Sequence, residues 1–270
     1  MSWMDLTFII PTRIETEDRL RNIISSVSYL LKHVPAKVIV KEVSSHNTFK
    51  HRGIPEIKKY ADTTNLTSLF EESEEPLFCK SKVLNDLIVA ADTKVVANYD
   101  ADCILPVTSY FQAYEGIEKD KADVVYPYGC GIYQWKADYN MEIYNQFVQT
   151  LSTDVLDKSK TLSNSTIGWT QFVNRQRYID CFMMNENFVS WGCEDDEFYY
   201  RMSILGNRIG RLDTYVYHLE HSRTHNSWFS SPKFNDNYQL WNTLKTFDRE
   251  HLVEYYKKQD YLETRKKQLA

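Results

Sequence analysis

The sequence predicts an α/β protein with a mostly parallel central sheet flanked by helices, in a single domain. Three observations carry this. Apolar, β-branched runs alternate with stretches of helical period through the first half, the pattern of βαβ units. The chain has 270 residues, enough to bury a full core. The apolar run Val95-Val96-Ala97-Asn98-Tyr99 ends at Asp100-Ala101-Asp102, which sets two hard oxygen donors at the rim of a sheet, where α/β proteins hold ligands.

Thr7-Phe8-Ile9-Ile10, closed by Pro11, reads as the first buried strand, with Arg13 in the loop after it. Glu15, Glu17 and Asp18 favour a helix start. Leu20, Ile23, Ile24, Val27 and Leu31 then recur at helical spacing until His33 and Pro35. Residues 37–42 form the second strand, so strand, helix and strand make a parallel βαβ unit. Residues 44–78, with the acidic cluster Glu71, Glu72, Glu74 and Glu75, read as mostly loop with a short strand or helix.

A helix from Phe78 turns Val83, Leu84, Leu87, Ile88 and Ala91 to the core. Lys80 and Lys82 lie near its start, where the helix dipole disfavours cations; solubility and contact with a diphosphate both account for them. After the Asp-x-Asp strand come a helix through Tyr110, Phe111, Tyr114 and Ile117 and a strand over residues 123–128. Beyond it the alternation weakens. Residues 132–165 read as a helix and a long loop on the ligand side of the sheet. Phe198, Met202 and Leu205 mark a further helix, and residues 214–218 a strand. Residues 255–270 form a charged helical tail; its lysine-rich end could touch an anionic membrane surface, a solvated helix being the simpler reading.

Composition narrows the function. The net charge of -5 gives no broad basic field for nucleic acid. Eight glycines fall below the average of roughly 7%, and no Gly-rich phosphate loop occurs. Phosphate binding would therefore rest on a metal and side chains. The five cysteines are scattered, odd in number and free of any CxxC pair, as in reduced cytosolic proteins. Residues 1–6 lack the features of a signal peptide, and no run approaches about 18 apolar residues. A cytoplasmic protein is expected.

Three groups of residues point to chemistry. Asp100 and Asp102 suit Mg2+ or Mn2+, although a solvated turn would look the same. Trp191-Gly192-Cys193 leads into the four acids Glu194, Asp195, Asp196 and Glu197. Acids are welcome in a first helical turn, but four in a row repel one another, so at least one is expected to serve function. A carboxylate there could act as general base toward a hydroxyl held against the indole, a natural way to hold a sugar. Finally, three of seven histidines, His218, His221 and His225, fall within eight residues at a strand end. Nitrogen and oxygen ligands together suit Mn2+.

These motifs resemble the GT-A-fold glycosyltransferases with a family 2 type first half, and specifically the catalytic domain of β-1,4-galactosyltransferases and chondroitin-polymerase-type enzymes. Ile10-Pro11-Thr12-Arg13 is similar to their Ile-Pro-Phe-Arg stretch, and Phe78-Cys79-Lys80-Ser81-Lys82-Val83-Leu84-Asn85 to Phe-Asn-Arg-Ala-Lys-Leu-Leu-Asn. Asp100-Ala101-Asp102 matches their Asp-x-Asp. Trp191 to Asp196 matches Trp-Gly-Gly-Glu-Asp-Asp, and His218 to Arg223 resembles Met-x-x-His-Ser-Arg. The motifs keep the family's order over roughly residues 7 to 225.

The resemblance implies a Rossmann-like GT-A fold and a metal-dependent, inverting transfer of a hexosyl residue, galactose- or N-acetylgalactosamine-like. The donor would be a UDP-sugar and the acceptor a hydroxyl of a glycan or glycolipid, in surface-polysaccharide synthesis. By residue, it implies Asp195 as the base, and Asp102, His218 and His221 as ligands to Mn2+ or Mg2+. Pro11, Arg13, Glu42, Phe78, Lys82, Asn85, Asp100, Ala101 and Asp102 would meet the nucleotide-sugar. Trp169, Trp191, Gly192, Glu194 and Asp196 would meet the acceptor. Residues 1–254 then form the transferase domain, with 1–128 the nucleotide-sugar half and 129–254 the acceptor and catalytic half; 255–270 is the tail.

Three departures stand out: Thr12 for an aromatic residue, Glu15 where a second basic residue is usual, and Lys80 for arginine. Two other readings compete. A sugar nucleotidyltransferase on the same fold would want an early Gly-rich loop, which is absent. A non-catalytic glycan-binding domain would keep Trp169 and Trp191 but need neither the acids nor the histidines.

Overall fold

The computed structural model describes residues 4–158, 160–163 and 167–269. Residues 1–3, part of the expectation about the leader, lie outside it, as do 159, 164 and 165 of the expected long loop and the last residue of the tail.

The first half builds β1 (Leu6–Thr12), α1 (Glu17–His33), β2 (Lys37–Ser44), a π-helical turn (Phe49–Gly53) leading into α2 (Ile54–Ile57), and β3 (Leu66–Glu72). It continues with α3 (Lys80–Ala90), β4 (Val95–Tyr99), β5 (Cys103–Ile104), α4 (Val107–Glu118) and β6 (Val124–Tyr126). The second half adds β7 (Gln134–Ala137), α5 (Met141–Thr150), β8 (Lys160–Leu162), β9 (Thr170–Asn174), α6 (Arg175–Asp180) and α7 (Glu194–Ile204). The chain ends with β10 (Ile209–Arg211), β11 (Val216–Leu219), α8 (Phe234–Leu244), α9 (Arg249–Lys257) and α10 (Asp260–Leu269).

Seven strands form the main sheet in the order β10-β6-β9-β4-β1-β2-β3. All its pairs are parallel except those of β9, which runs antiparallel between β4 and β6. Every residue of β1 and β4 is buried, as expected of central strands covered on both faces. Phe8 sits at the centre of the core, its ring edge-on to Tyr99, Tyr110 and Phe172 at centroid distances of 5.5, 5.7 and 5.7 Å. α1 carries acids in its first turn and Lys32 and His33 in its last, matching the helix dipole at both ends.

The second half departs from the sequence reading. The expected helix and loop over 132–165 contain two strands of a second sheet, ordered β5-β11-β7-β8. β11 meets the strand expected over 214–218, but the other three strands are two to four residues long and pair with distant segments, so no local periodicity announces them. Residues 66–72, read within a mostly irregular region, make a full strand at the edge of the main sheet, in parallel register with β2.

The C-terminal segment is no solvated tail. Leu252, Tyr256 and Leu262 are buried in a second apolar cluster with Phe188 and Leu244. The buried guanidinium of Arg265 reaches Glu186 at 2.7 Å and also pairs with Asp86 of α3. The expected boundary at 254/255 falls inside α9. A charged sequence hides this because each helix buries only one or two apolar side chains. No helix among the described residues is long and apolar enough to cross a membrane.

Candidate active site

The register of the small sheet assembles the site. β5 begins one residue after Asp102 and pairs antiparallel with β11, setting His218 opposite Cys103. The Leu219 amide donates to the Asp102 carbonyl at 2.7 Å. α1 braces both segments from behind: Ser26 Oγ donates to the Ala101 carbonyl at 2.8 Å, and Asn22 Nδ2 to the Leu219 carbonyl at 2.8 Å.

Asp102 Oδ2 therefore lies 3.1 Å from His221 Nε2 and 3.6 Å from His218 Nε2. One candidate ligand atom from each of these three residues lies within 4.8 Å of the other two. Each imidazole meets an acceptor through Nδ1: Glu220 Oε1 for His218 and the Ser222 carbonyl for His221, both at 2.9 Å. A neutral ring with its proton on Nδ1 turns the Nε2 lone pair toward Asp102. Three acceptors then converge with no proton among them, a donor set that fits a divalent cation taking nitrogen and oxygen ligands. Trp169 stacks on His218 at 5.4 Å and fixes its ring plane. Burial alone would raise the Asp102 carboxyl. When the two imidazoles are protonated and donate through Nε2, their charge outweighs burial and holds the group well below the ordinary carboxylate range, a role that a bound cation would take over from those protons.

A second wall comes from α7 and the turn before it. Cys193 at φ 70° and Gly192 at φ 117° turn the chain sharply before the helix. Gly192 N–H donates to Glu194 Oε2 at 3.2 Å. Glu194 is buried, Asp195 half-buried and Asp196 exposed. Lys80, the first residue of α3, sits among the acids: its Nζ is 2.9 Å from Asp100, 3.6 Å from Asp195 and 3.9 Å from Glu194. Burial pushes Asp195 well above the ordinary range; Lys80 opposes this, while the charges of Glu194, Asp100 and Asp196 add to it. Asp100 is pushed up to about 6, again mainly by burial, with Lys80 opposing and Asp102 adding to the rise.

One pocket joins these walls. Pro11, Arg13, Phe78, Asp100, Ala101, Asp102, Trp169, Trp191, Glu194, Asp195, His218 and His221 all line it, as the sequence reading grouped them. Five expected residues do not. Glu42 is buried and accepts from the Phe49 amide at 2.7 Å and Ser44 Oγ at 3.1 Å, so it closes a turn instead. Lys82 points to Glu71 at 3.0 Å. Asn85 is buried, donating to the Met184 carbonyl at 3.0 Å and accepting from its amide at 2.8 Å. Gly192 shapes the turn, and Asp196 faces outward.

The pocket also contains residues that the sequence reading left out of the site: Glu15, Arg19, Lys80, Gly168, Arg223 and Asn226. Lys80 had a signal, a cation misplaced at a helix start. Asn226 had none, because a loop asparagine shows its role only through its partners. Arg13 lines the pocket while donating from Nε to the Val43 carbonyl at 2.9 Å and from Nη1 to the Glu75 carbonyl at 2.8 Å.

A family model described as the N-terminal domain of galactosyltransferase matches residues 156–222, the stretch that holds both the Trp191 turn and the two histidines. No curated protein sequence matches the chain. Among solved structures, the chain is similar to GalNAc-T7 crystallised with UDP, GalNAc and Mn2+, at 15% identity and a TM-score of 0.62, over 90% of this chain and 48% of that one. It is also similar to S. aureus TarS 1-349 in complex with UDP-GlcNAc, at 17% identity and a TM-score of 0.59, over 93% of this chain and 71% of that one. A third likeness is to the mannosyltransferase PcManGT from Pyrobaculum calidifontis in complex with GDP-Man and Mn2+, at 15% identity and a TM-score of 0.51, over 84% and 59%. The chain spans about half the length of the first of these. At such identities the likeness is one of architecture, and the architecture is the GT-A fold of glycosyltransferase structures.

Proposed function

We propose that this chain is a metal-dependent inverting glycosyltransferase that moves a hexosyl residue from a UDP-sugar to a hydroxyl of a glycan or glycolipid acceptor. The observation that carries the reading is the convergence of Asp102, His218 and His221 in one pocket that Asp195 and Trp191 also line. Mn2+ or Mg2+ held by those three residues would offset the charge of the departing diphosphate. The solved structures with UDP or GDP-sugars and Mn2+ support the same assignment.

The chain's own residues do the rest. Arg13, Arg19 and Arg223 give the donor wall positive charge. Trp191 offers an indole face to a sugar ring. Asp195 accepts the acceptor's hydroxyl proton as the acceptor oxygen bonds to the anomeric carbon. The bond from that carbon to the diphosphate oxygen breaks, and the nucleoside diphosphate leaves from the opposite face. With Asp195 as base and the acceptor oxygen itself as the nucleophile, the transfer is a single displacement, hence inversion. Burial raises the affinity of Asp195 for the proton it must take. We place the reaction in the cytoplasm, from the five unpaired cysteines, and in polysaccharide assembly.

The test is calorimetric titration of UDP with and without Mn2+, followed by turnover of a panel of UDP-sugars. Asp102→Asn is expected to abolish the Mn2+-dependent part of UDP binding. Asp195→Asn is expected to leave that binding within about twofold while reducing turnover by roughly 100-fold or more. UDP binding that ignores Mn2+ in the native protein would sink the reading.

A further inference from the structure

The two histidines are held in different ways. His218 lies within β11, with its ring on Trp169 and its Nδ1 on Glu220. His221 lies beyond the end of β11, in a segment with no regular structure. Its Nδ1 meets the carbonyl of Ser222, so its ring orientation depends on where Ser222 is held.

Ser222 is held by Asp18, in the first turn of α1. Asp18 Oδ2 accepts from both the amide and the hydroxyl of Ser222, each at 2.6 Å. The other carboxylate oxygen accepts from the Arg19 amide at 2.8 Å and from the Thr16 hydroxyl, which fixes Asp18 itself. Further along, Glu15 accepts from Thr224 Oγ1 at 2.7 Å through Oε2 and from Asn226 Nδ2 at 3.0 Å through Oε1. Asn226 Oδ1 in turn accepts from the Phe78 amide at 2.9 Å and from Ser190 Oγ at 3.1 Å.

An acid at position 15 is otherwise hard to account for. It lines a pocket that already holds Asp100, Asp102, Glu194 and Asp195, and further negative charge works against an anionic donor. Its hydrogen bonds supply the reason. We infer that Asp18 and Glu15 are positioning residues for His221, strapping Ser222 to Asn226 against the start of α1 so that the imidazole stays at Asp102. The inference rests on the reading of Asp102, His218 and His221 as the cation site.

The experiment is titration of the full chain with Mn2+ alone, free ion being read by electron paramagnetic resonance. Asp102→Asn and His221→Ala serve as controls, and the test variants are Asp18→Asn and the double variant Ser222→Ala with Thr224→Val. The double variant removes two strap hydroxyls but leaves both acids and their local bonds at α1 intact, so it separates positioning from folding. Both test variants are expected to raise the Kd for Mn2+ about 10-fold or more, the range found when groups that orient a ligand are removed. Asp18→Glu, which keeps an acceptor, should recover part of the loss, and unfolding midpoints of the double variant should stay near native. If the controls lose Mn2+ while both test variants keep the native Kd, the strap is irrelevant to the ligand and the inference fails alone. If Asp102→Asn keeps the native Kd, the cation site is elsewhere and both readings fail.

Discussion

At Gly168 only a hydrogen atom separates the backbone from Asp195. A β-carbon built there would lie 1.9 Å from Asp195 Oδ2 and 2.5 Å from its Cγ, closer than atoms can pack. Gly168→Ala must therefore push the carboxylate aside, while Asp102 and the histidines keep their places. Turnover is expected to fall about 100-fold, the scale set by a displacement of about an ångström at a reacting group. Mn2+ binding should stay within twofold of native. Near-native turnover in this variant would remove Asp195 from the role of base. No pattern in the sequence announces Gly168, because its function is to be small at a point fixed by a helix 26 positions later, between Gly168 and Glu194. Asp102, by contrast, was legible: a strand that stops at Asp-x-Asp puts its donors at the sheet rim whatever the remainder of the chain does.

At the scale of elements, α7 is held by an ion pair with no access to water. Arg201 Nε donates to Glu197 Oε1 at 2.8 Å, and its guanidinium also donates to the Cys181 carbonyl. The Tyr256 hydroxyl donates to the same Glu197 oxygen at 2.5 Å, and the guanidinium lies 4.6 Å from the centroid of the Tyr256 ring. α7 is thereby locked to α9. Arg201→Met leaves Glu197 buried without its cation, and a broken buried pair costs about 3–5 kcal/mol. The expected result is a lower urea midpoint by that amount of stability at an unchanged slope. The four acids from Glu194 to Glu197 were legible as more than a helix start requires, but their division of labour was not. Glu194 and Asp195 turn to the pocket, where their partner Lys80 lies far away in sequence, while Glu197 turns inward to Arg201, four residues on, and to Tyr256, far away. The same distance hid the packing of α9 and α10, whose charged sequences gave only sparse apolar positions.

Across the whole molecule, β1, β2 and β4 with α1, α3 and α4 followed from apolar runs and hydrophobic period, while β3 did not. Each of those six is long, local and apolar enough to declare itself. Of the second sheet only β11 did, as the strand expected over 214–218; β5, β7 and β8 take their meaning from register with it and with one another. β9 is the sharpest case. It belongs to the second half by sequence, yet it is a central strand, pairing with Val95–Tyr99 of β4 on one side and with β6 on the other. The halves 1–128 and 129–254 are thus interleaved, and neither owns a complete sheet. A fragment ending at residue 128 would leave β4 with a bare row of amides and carbonyls along five residues that are all buried in the full chain. Such an apolar edge templates pairing with other chains. Expressed alone, that fragment is expected to collect as sedimenting aggregate, whereas the full chain stays in the supernatant. A ribosome making this protein faces the same hazard, for the open edge persists until β9 emerges to cover it.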